Sequence, residues 1–136
     1  MSNLSKKRLT VFPNGLASFL VDINAEEKTA NYTVIINTDS GKSLASDLDG
    51  VVFTMPSIAT GNTITFVNTA EDGTAELNIS PAAVDGINYI GSNTDNKDLI
   101  NTKATAKKGD YVTLASLNGT TAWQVVAVRG VWAKEA

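Results

Sequence analysis

The side chains in this sequence with the most obvious chemical potential are carboxylates and amides in three short groups. Asp47 and Asp49 form one, Glu71 and Asp72 a second, and Asn93, Asp95 and Asp98 a third. Oxygen donors of this kind can hold Ca²⁺, and paired acids can flank a glycosidic bond. The calcium-loop pattern D-x-[DN]-x-[DN]-G is met by neither the 47–49 group nor the 93–98 group. Acids adjacent in a turn also rarely converge across a cleft, so the reading adopted is turn capping by Asp and Asn side chains. The chain has no cysteine and no histidine. Thiolate metal sites, cysteine nucleophiles and disulfides are thereby removed, and so are the usual general base near neutral pH and the partner of a serine triad. The sequence therefore predicts no catalytic residues, no metal and no cofactor, and the chain is read as not an enzyme.

Aromatic residues are the next candidates. Trp123, Trp132, Tyr32, Tyr89 and Tyr111 could stack on sugars, but aromatics on strands more often anchor a core or an interface. Four matches to the glycosylation pattern, at Asn3, Asn31, Asn78 and Asn118, are too short to carry an argument. Lys6, Lys7 and Arg8 form a basic run, whereas residues from 9 onward carry eight Lys/Arg against fourteen Asp/Glu, a net of −6. A body of that sign repels phosphate backbones, which argues against nucleic acid as a partner. The basic run reads as a solvated terminus or, functionally, as an arm suited to an acidic surface of a larger assembly.

These residues must be positioned by a domain, and 136 residues with 43% hydrophobic and 18% charged content suit one globular unit. A chain of this size buries roughly two thirds of its unfolded surface, enough for a core without staples. Pro13, Asn14 and Gly15 interrupt the apolar stretch Leu9–Leu20, which argues against a cleaved signal. No stretch reaches the ~18 apolar residues of a membrane span, so no membrane partner is expected.

Short β-rich runs alternate with turn residues at fairly even spacing, predicting an all-β, single-domain antiparallel β-sandwich or jelly-roll-like barrel. Expected strands are 8–12, 17–23, 31–37, 51–55, 62–68, 74–79, 111–117 and 121–131. Residues 24–30 suit a helical turn or a polar loop, and 91–101 an exposed loop. Asp72-Gly73 and Asn118-Gly119 tolerate the positive φ of tight turns, so strand 62–68 is expected to pair with 74–79, and 111–117 with 121–131. Ile64 and Phe66 alternate with threonines, and Leu77 and Ile79 with Glu76 and Asn78, giving one buried and one wet face each. The last strand is apolar on both faces: Trp123, Val125, Ala127 and Val131 on one, Val126, Val128 and Trp132 on the other. Either a second layer of the chain or a partner must cover the second face. In domain terms, residues 1–30 form an N-terminal extension with the first strands, and 31–136 the β-sandwich.

From residue 41 the order of motifs is notable: Asp39-Ser40-Gly41-Lys42, Val51–Pro56, Gly61–Val67, Ile79-Ser80-Pro81, Asp85-Gly86-Ile87, Gly109–Leu114 and Trp123-Gln124-Val125. In order and spacing, across about the last hundred residues, this resembles a module of tailed-phage virion proteins found in head decoration (cement) proteins and tail-fibre segments. The resemblance implies a small β-sandwich or jelly-roll-like domain, commonly a homotrimer, that sits on the capsid surface of the virion by packing and performs no chemistry. Its partners would be sister subunits and the major capsid protein. On this reading Lys6, Lys7 and Arg8 belong to a capsid-docking arm, and Trp123, Val125, Val126, Val128 and Trp132 to a subunit interface. The alternative is a receptor- or glycan-binding module of a tail fibre.

Overall fold

The computed structural model describes residues 25–117 and 122–136. They form an all-β, sandwich-like single domain of two packed sheets. Eleven strands are described: β1 (Ala25–Glu27), β2 (Tyr32–Thr33), β3 (Ser43–Ser46), β4 (Val51–Thr54), β5 (Thr63–Asn68), β6 (Leu77–Ser80), β7 (Gly86–Asn88), β8 (Leu99–Asn101), β9 (Asp110–Ala115), β10 (Ala122–Arg129) and β11 (Ala133–Lys134). One sheet has the order β1-β3-β5-β9-β10-β7, the other β11-β8-β6-β4-β2.

The chain changes sheet at every connection except the β9–β10 hairpin. Over β1 to β6 alternate strands therefore become parallel neighbours, whereas β8 returns beside β6 antiparallel. Thus β1, β3 and β5 are parallel neighbours in one layer, and β2, β4 and β6 in the other. With β7 alongside β10, five of the nine described pairs are parallel. The expectation of purely antiparallel pairing is corrected accordingly: both sheets are mixed.

The β9–β10 hairpin forms as expected, with Gln124 opposite Ala115 and Arg129 opposite Tyr111. The expected β5–β6 hairpin does not. Gly73, at φ 72°, turns the chain out of the sheet, and its N–H donates to the Ala106 carbonyl instead of closing a ladder. β5 pairs instead with β3 and β9, and β6 with β4 and β8. Of the expected strand 31–37 only Tyr32–Thr33 is a strand, β2. Ile36–Asp39 makes a single helical turn because the buried Asp39 carboxylate accepts from the Ile35 N–H at 2.8 Å and the Tyr32 hydroxyl at 2.7 Å. β1 lies where a helical turn or loop was expected and joins the six-stranded sheet. β3, β7 and β11 were not anticipated, and β8 occupies the end of the expected 91–101 loop.

The two sheets meet through their alternating apolar faces, as the β5 and β6 patterns predict. Ile64, Phe66, Leu77 and Ile79 are buried, and the Phe53 and Phe66 rings contact across the interior with centroids 5.0 Å apart. At one end the core is polar. Asn68 of β5 donates to the Asn101 Oδ1 of β8 at 2.8 Å and to the Ala75 carbonyl at 3.1 Å. The Asn101 amide in turn donates to Asp110 of β9 and to the Val131 carbonyl, each at 3.1 Å, and the Lys107 N–H donates to Asp110 at 2.9 Å. All three side chains are buried, and together they stitch one sheet to the other.

Candidate functional site

The acid groups do not converge. Asp49 accepts from the Glu76 N–H at 2.9 Å and meets Lys103 at 2.7 Å, and these contacts, the lysine first, hold its carboxyl below the usual range. Glu71 meets Lys108 at 2.8 Å, while Asp72 accepts from the Lys108 N–H at 2.9 Å, which lowers its pKa. Asp47, Asn93 and Asp95 are exposed. Asp98 is half-buried, and its N–H donates to Glu135 at 3.3 Å. Among the described residues no three acids gather where a metal ion could be held. Against the turn-capping expectation, Asp49 and Asp72 do not cap their own turns but tie them to segments 27 and 36 residues further along the chain.

The aromatic candidates separate in the same way. Trp123 is 0% exposed and Trp132 5%, both within the core of their own chain. They are therefore not available to a neighbouring subunit or to a sugar, which corrects the expectation placed on them: the chain's own core covers both tryptophans, while Val126 and Val128 stay exposed. Tyr32 is held by Asp39, with Lys28 Nζ 3.9 Å from its ring centroid. Tyr111 is half-buried on β9. Lys6, Lys7 and Arg8 lie outside the described residues.

What remains of the expected interface set is Val125, Val126 and Val128, and these line the groove that forms the candidate site. β10 is eight residues long, but β7 runs beside it for only three, pairing with Ala122, Trp123 and Gln124. Past Gln124 the chain of β7 turns away through Tyr89 and Ile90, and a groove of about 340 Å³ opens between residues 88–90 and 124–128. β10 changes character at this point. Trp123 points into the core, Val125 is half-buried against it, and Val126 and Val128 are 51% and 40% exposed. A bulge between Val125 and Ala127 breaks the alternation there and re-aims the side chains, as bulges at sheet margins do.

The loop on the other wall is firmly built. Gly86 has no Cβ to collide with the Asn93 carbonyl, and Asp85 accepts from the Ile58 N–H at 2.9 Å while its own carbonyl accepts from the Asn96 N–H. Tyr89 and Ser92 exchange backbone hydrogen bonds of 2.9 and 3.1 Å around Ile90 and Gly91, which have φ of 50° and 79°. A two-residue turn with both centres at positive φ favours Asn-Gly, and a β-branched residue at the first position carries strain of about 1–2 kcal/mol. Ile90 is held there with its side chain 82% exposed at the groove's rim. At the base, the Asn88 amide donates to Gln124 Oε1 at 2.9 Å.

Among the described residues no ionisable side chain other than the Tyr89 phenol lines this groove. It can offer apolar contact, amide hydrogen bonds and the free backbone edge of a strand. Sequence reading found Val125, Val126 and Val128 through their two-faced apolar pattern. It named Tyr89 only as one of five aromatics that could stack on a sugar, and missed Asn88, Ile90 and Gln124, for which Gly91 was the one local signal. No protein-family model matches the chain, and no curated protein matches it.

Proposed function

We propose that this chain is a structural protein of a phage particle, a head decoration or cement protein that binds the assembled capsid as a homo-oligomer. The observation that carries this reading is the groove on β10, a mixed surface of valines and amides along a strand edge that, among the described residues, brings no metal ligand, nucleophile or base. Such a surface acts by being covered. The resemblance in motif order supplies the setting. The basic run Lys6-Lys7-Arg8 beside a body of net −6 supplies a docking segment whose charge differs from that of the rest of the chain. A protein that binds only the assembled shell stabilises it by mass action. The glycan-binding alternative loses its principal stacking platform with the burial of Trp123.

The test is co-sedimentation of the purified protein with expanded capsids and with free capsid protein. Saturable binding to the shell alone, with a raised shell melting temperature, is expected. Absence of binding to any assembled shell, or glycan binding that survives capsid competition, would overturn the reading.

A further inference from the structure

β11 and β7 are each the last strand of their sheet, and one side chain joins them. The Lys134 ammonium of β11 donates to the Ile87 carbonyl of β7 at 2.8 Å and to the Lys97 carbonyl at 3.1 Å. Those two carbonyls flank residues 88–96, the segment whose first residues form one wall of the groove. The segment is closed on itself. Gly86 bridges Asp95, the Asn96 N–H donates to the Asp85 carbonyl at 2.9 Å, and Tyr89 and Ser92 exchange backbone bonds near its tip. A loop tied internally in this way moves as one piece, so a grip at its base is felt at its rim. Burial pushes the Lys134 pKa down, against the opposing pull of Asp98 and Glu135. An ammonium partly taken out of water depends on the two carbonyls for what it gives up, which makes the tie directional.

The residues that carry Lys134 to this place form a strap. It starts at Gly130, whose φ of 96° turns the chain out of β10, and crosses to the other sheet. Val131, Ala133, Glu135 and Ala136 are exposed, and Trp132 is the buried anchor. β11 adds two ladder positions against β8, and the Glu135 N–H donates to the Asp98 carbonyl at 2.9 Å. Exposed backbone bonds around a single apolar anchor characterise segments that open below the global unfolding free energy.

We propose that residues 131–136 are a conformational strap that sets the groove through Lys134. With the strap closed, Lys134 pins both ends of residues 88–96 and holds the wall at 88–90 beside β10. With the strap lifted, the wall swings from β10, so whatever loosens the strap alters the groove without touching it. This deepens the reading of the groove as the working surface and rests on it, but its readouts need no capsid.

The test is amide hydrogen exchange on the whole chain together with methyl spectra of Val126 and Val128, across the groove from the pinned loop. Lys134→Met keeps an unbranched stem and removes the ammonium. Exchange over 86–97 is expected to speed roughly 10- to 100-fold, the worth of a hydrogen bond to a charged group, while β5 and β9 keep their rates. The two valine methyl shifts are expected to move. Lys134→Arg retains a cation that can donate to both carbonyls and is expected to restore the wild-type pattern. In the wild type at low denaturant, 86–97 and 133–135 should exchange through one shared opening, a readout that stands even if Lys134→Met does not fold. Unchanged exchange over 86–97 in Lys134→Met, or a rise shared equally by β5 and β9, would overturn the proposal. So would static valine methyls, or independent opening of the two segments in the wild type. Failure of capsid co-sedimentation would leave these results standing, so the two readings fail separately.

Discussion

Replacing Asn101 with alanine is expected to destabilise the domain more than any exposed-surface change, and the size of the effect follows from its contacts. The Asn101 carboxamide is fully buried and makes three hydrogen bonds: one accepted from Asn68, and two donated, to Asp110 and the Val131 carbonyl. A net contribution of about 1 kcal/mol each gives about 3 kcal/mol. The partners set the direction of any error. Asp110 keeps the Lys107 N–H and Asn68 keeps the Ala75 carbonyl, but one Asn68 amide hydrogen and the Val131 carbonyl lose the contacts Asn101 gave them. A loss of about 3 kcal/mol lowers the melting temperature of a domain this size by about 10 °C. Thermal melts followed by circular dichroism and by calorimetry would measure it. Asn78→Ala serves as the control, because its amide makes one long bond of 3.3 Å to Glu76 on a half-buried face; its expected effect is under about 0.5 kcal/mol. The double variant Asn68→Ala/Asn101→Ala should cost clearly less than the sum of the singles, since the first change removes the group the second leaves unpaired. If Asn101→Ala melts within 3 °C of wild type, or the two changes add, the sheets are not held by this stitch.

Gly130→Ala is expected to destabilise by about 2–4 kcal/mol, because the residue sits at φ 96° and a Cβ there would strike the Asp110 carboxylate; urea titration would show the lowered midpoint with an unchanged slope. Trp123→Ala should cost about 3–5 kcal/mol through the cavity it leaves in the core, and its loss of near-UV circular dichroism would distinguish this from loss of a surface contact. The Tyr32 phenol is pushed up to about 12, first by its hydrogen bond to Asp39 and then by burial. The folded state therefore holds this proton more tightly than the unfolded chain. The stability it gives is fully present below pH ~10 and is lost as pH rises from ~10 to about 12. Phenolate absorbance should show one late-titrating tyrosine that returns toward ~10 in Asp39→Asn.

The sequence by itself determined which residues face inward and that no thiol or imidazole chemistry is available. Those properties are local: alternation of Ile64 and Phe66 with threonines specifies a wet and a dry side wherever the strand lies, and β9 and β10, close in sequence, pair antiparallel. Which strand lies beside which was decided only by the tertiary structure. The period of two names a face, not a neighbour, so the same pattern served a β5 that passes over β6 and pairs with β3 and β9. Likewise Trp123 and Val126 look alike as apolar residues of one run. Their fates differ because β7 stops opposite Gln124 and a bulge follows, placing one side chain under the opposite sheet and the other at an open edge. Residue types carry the hydrophobic driving force, but it is non-directional, and the choice among partners lies in contacts between residues far apart in the chain.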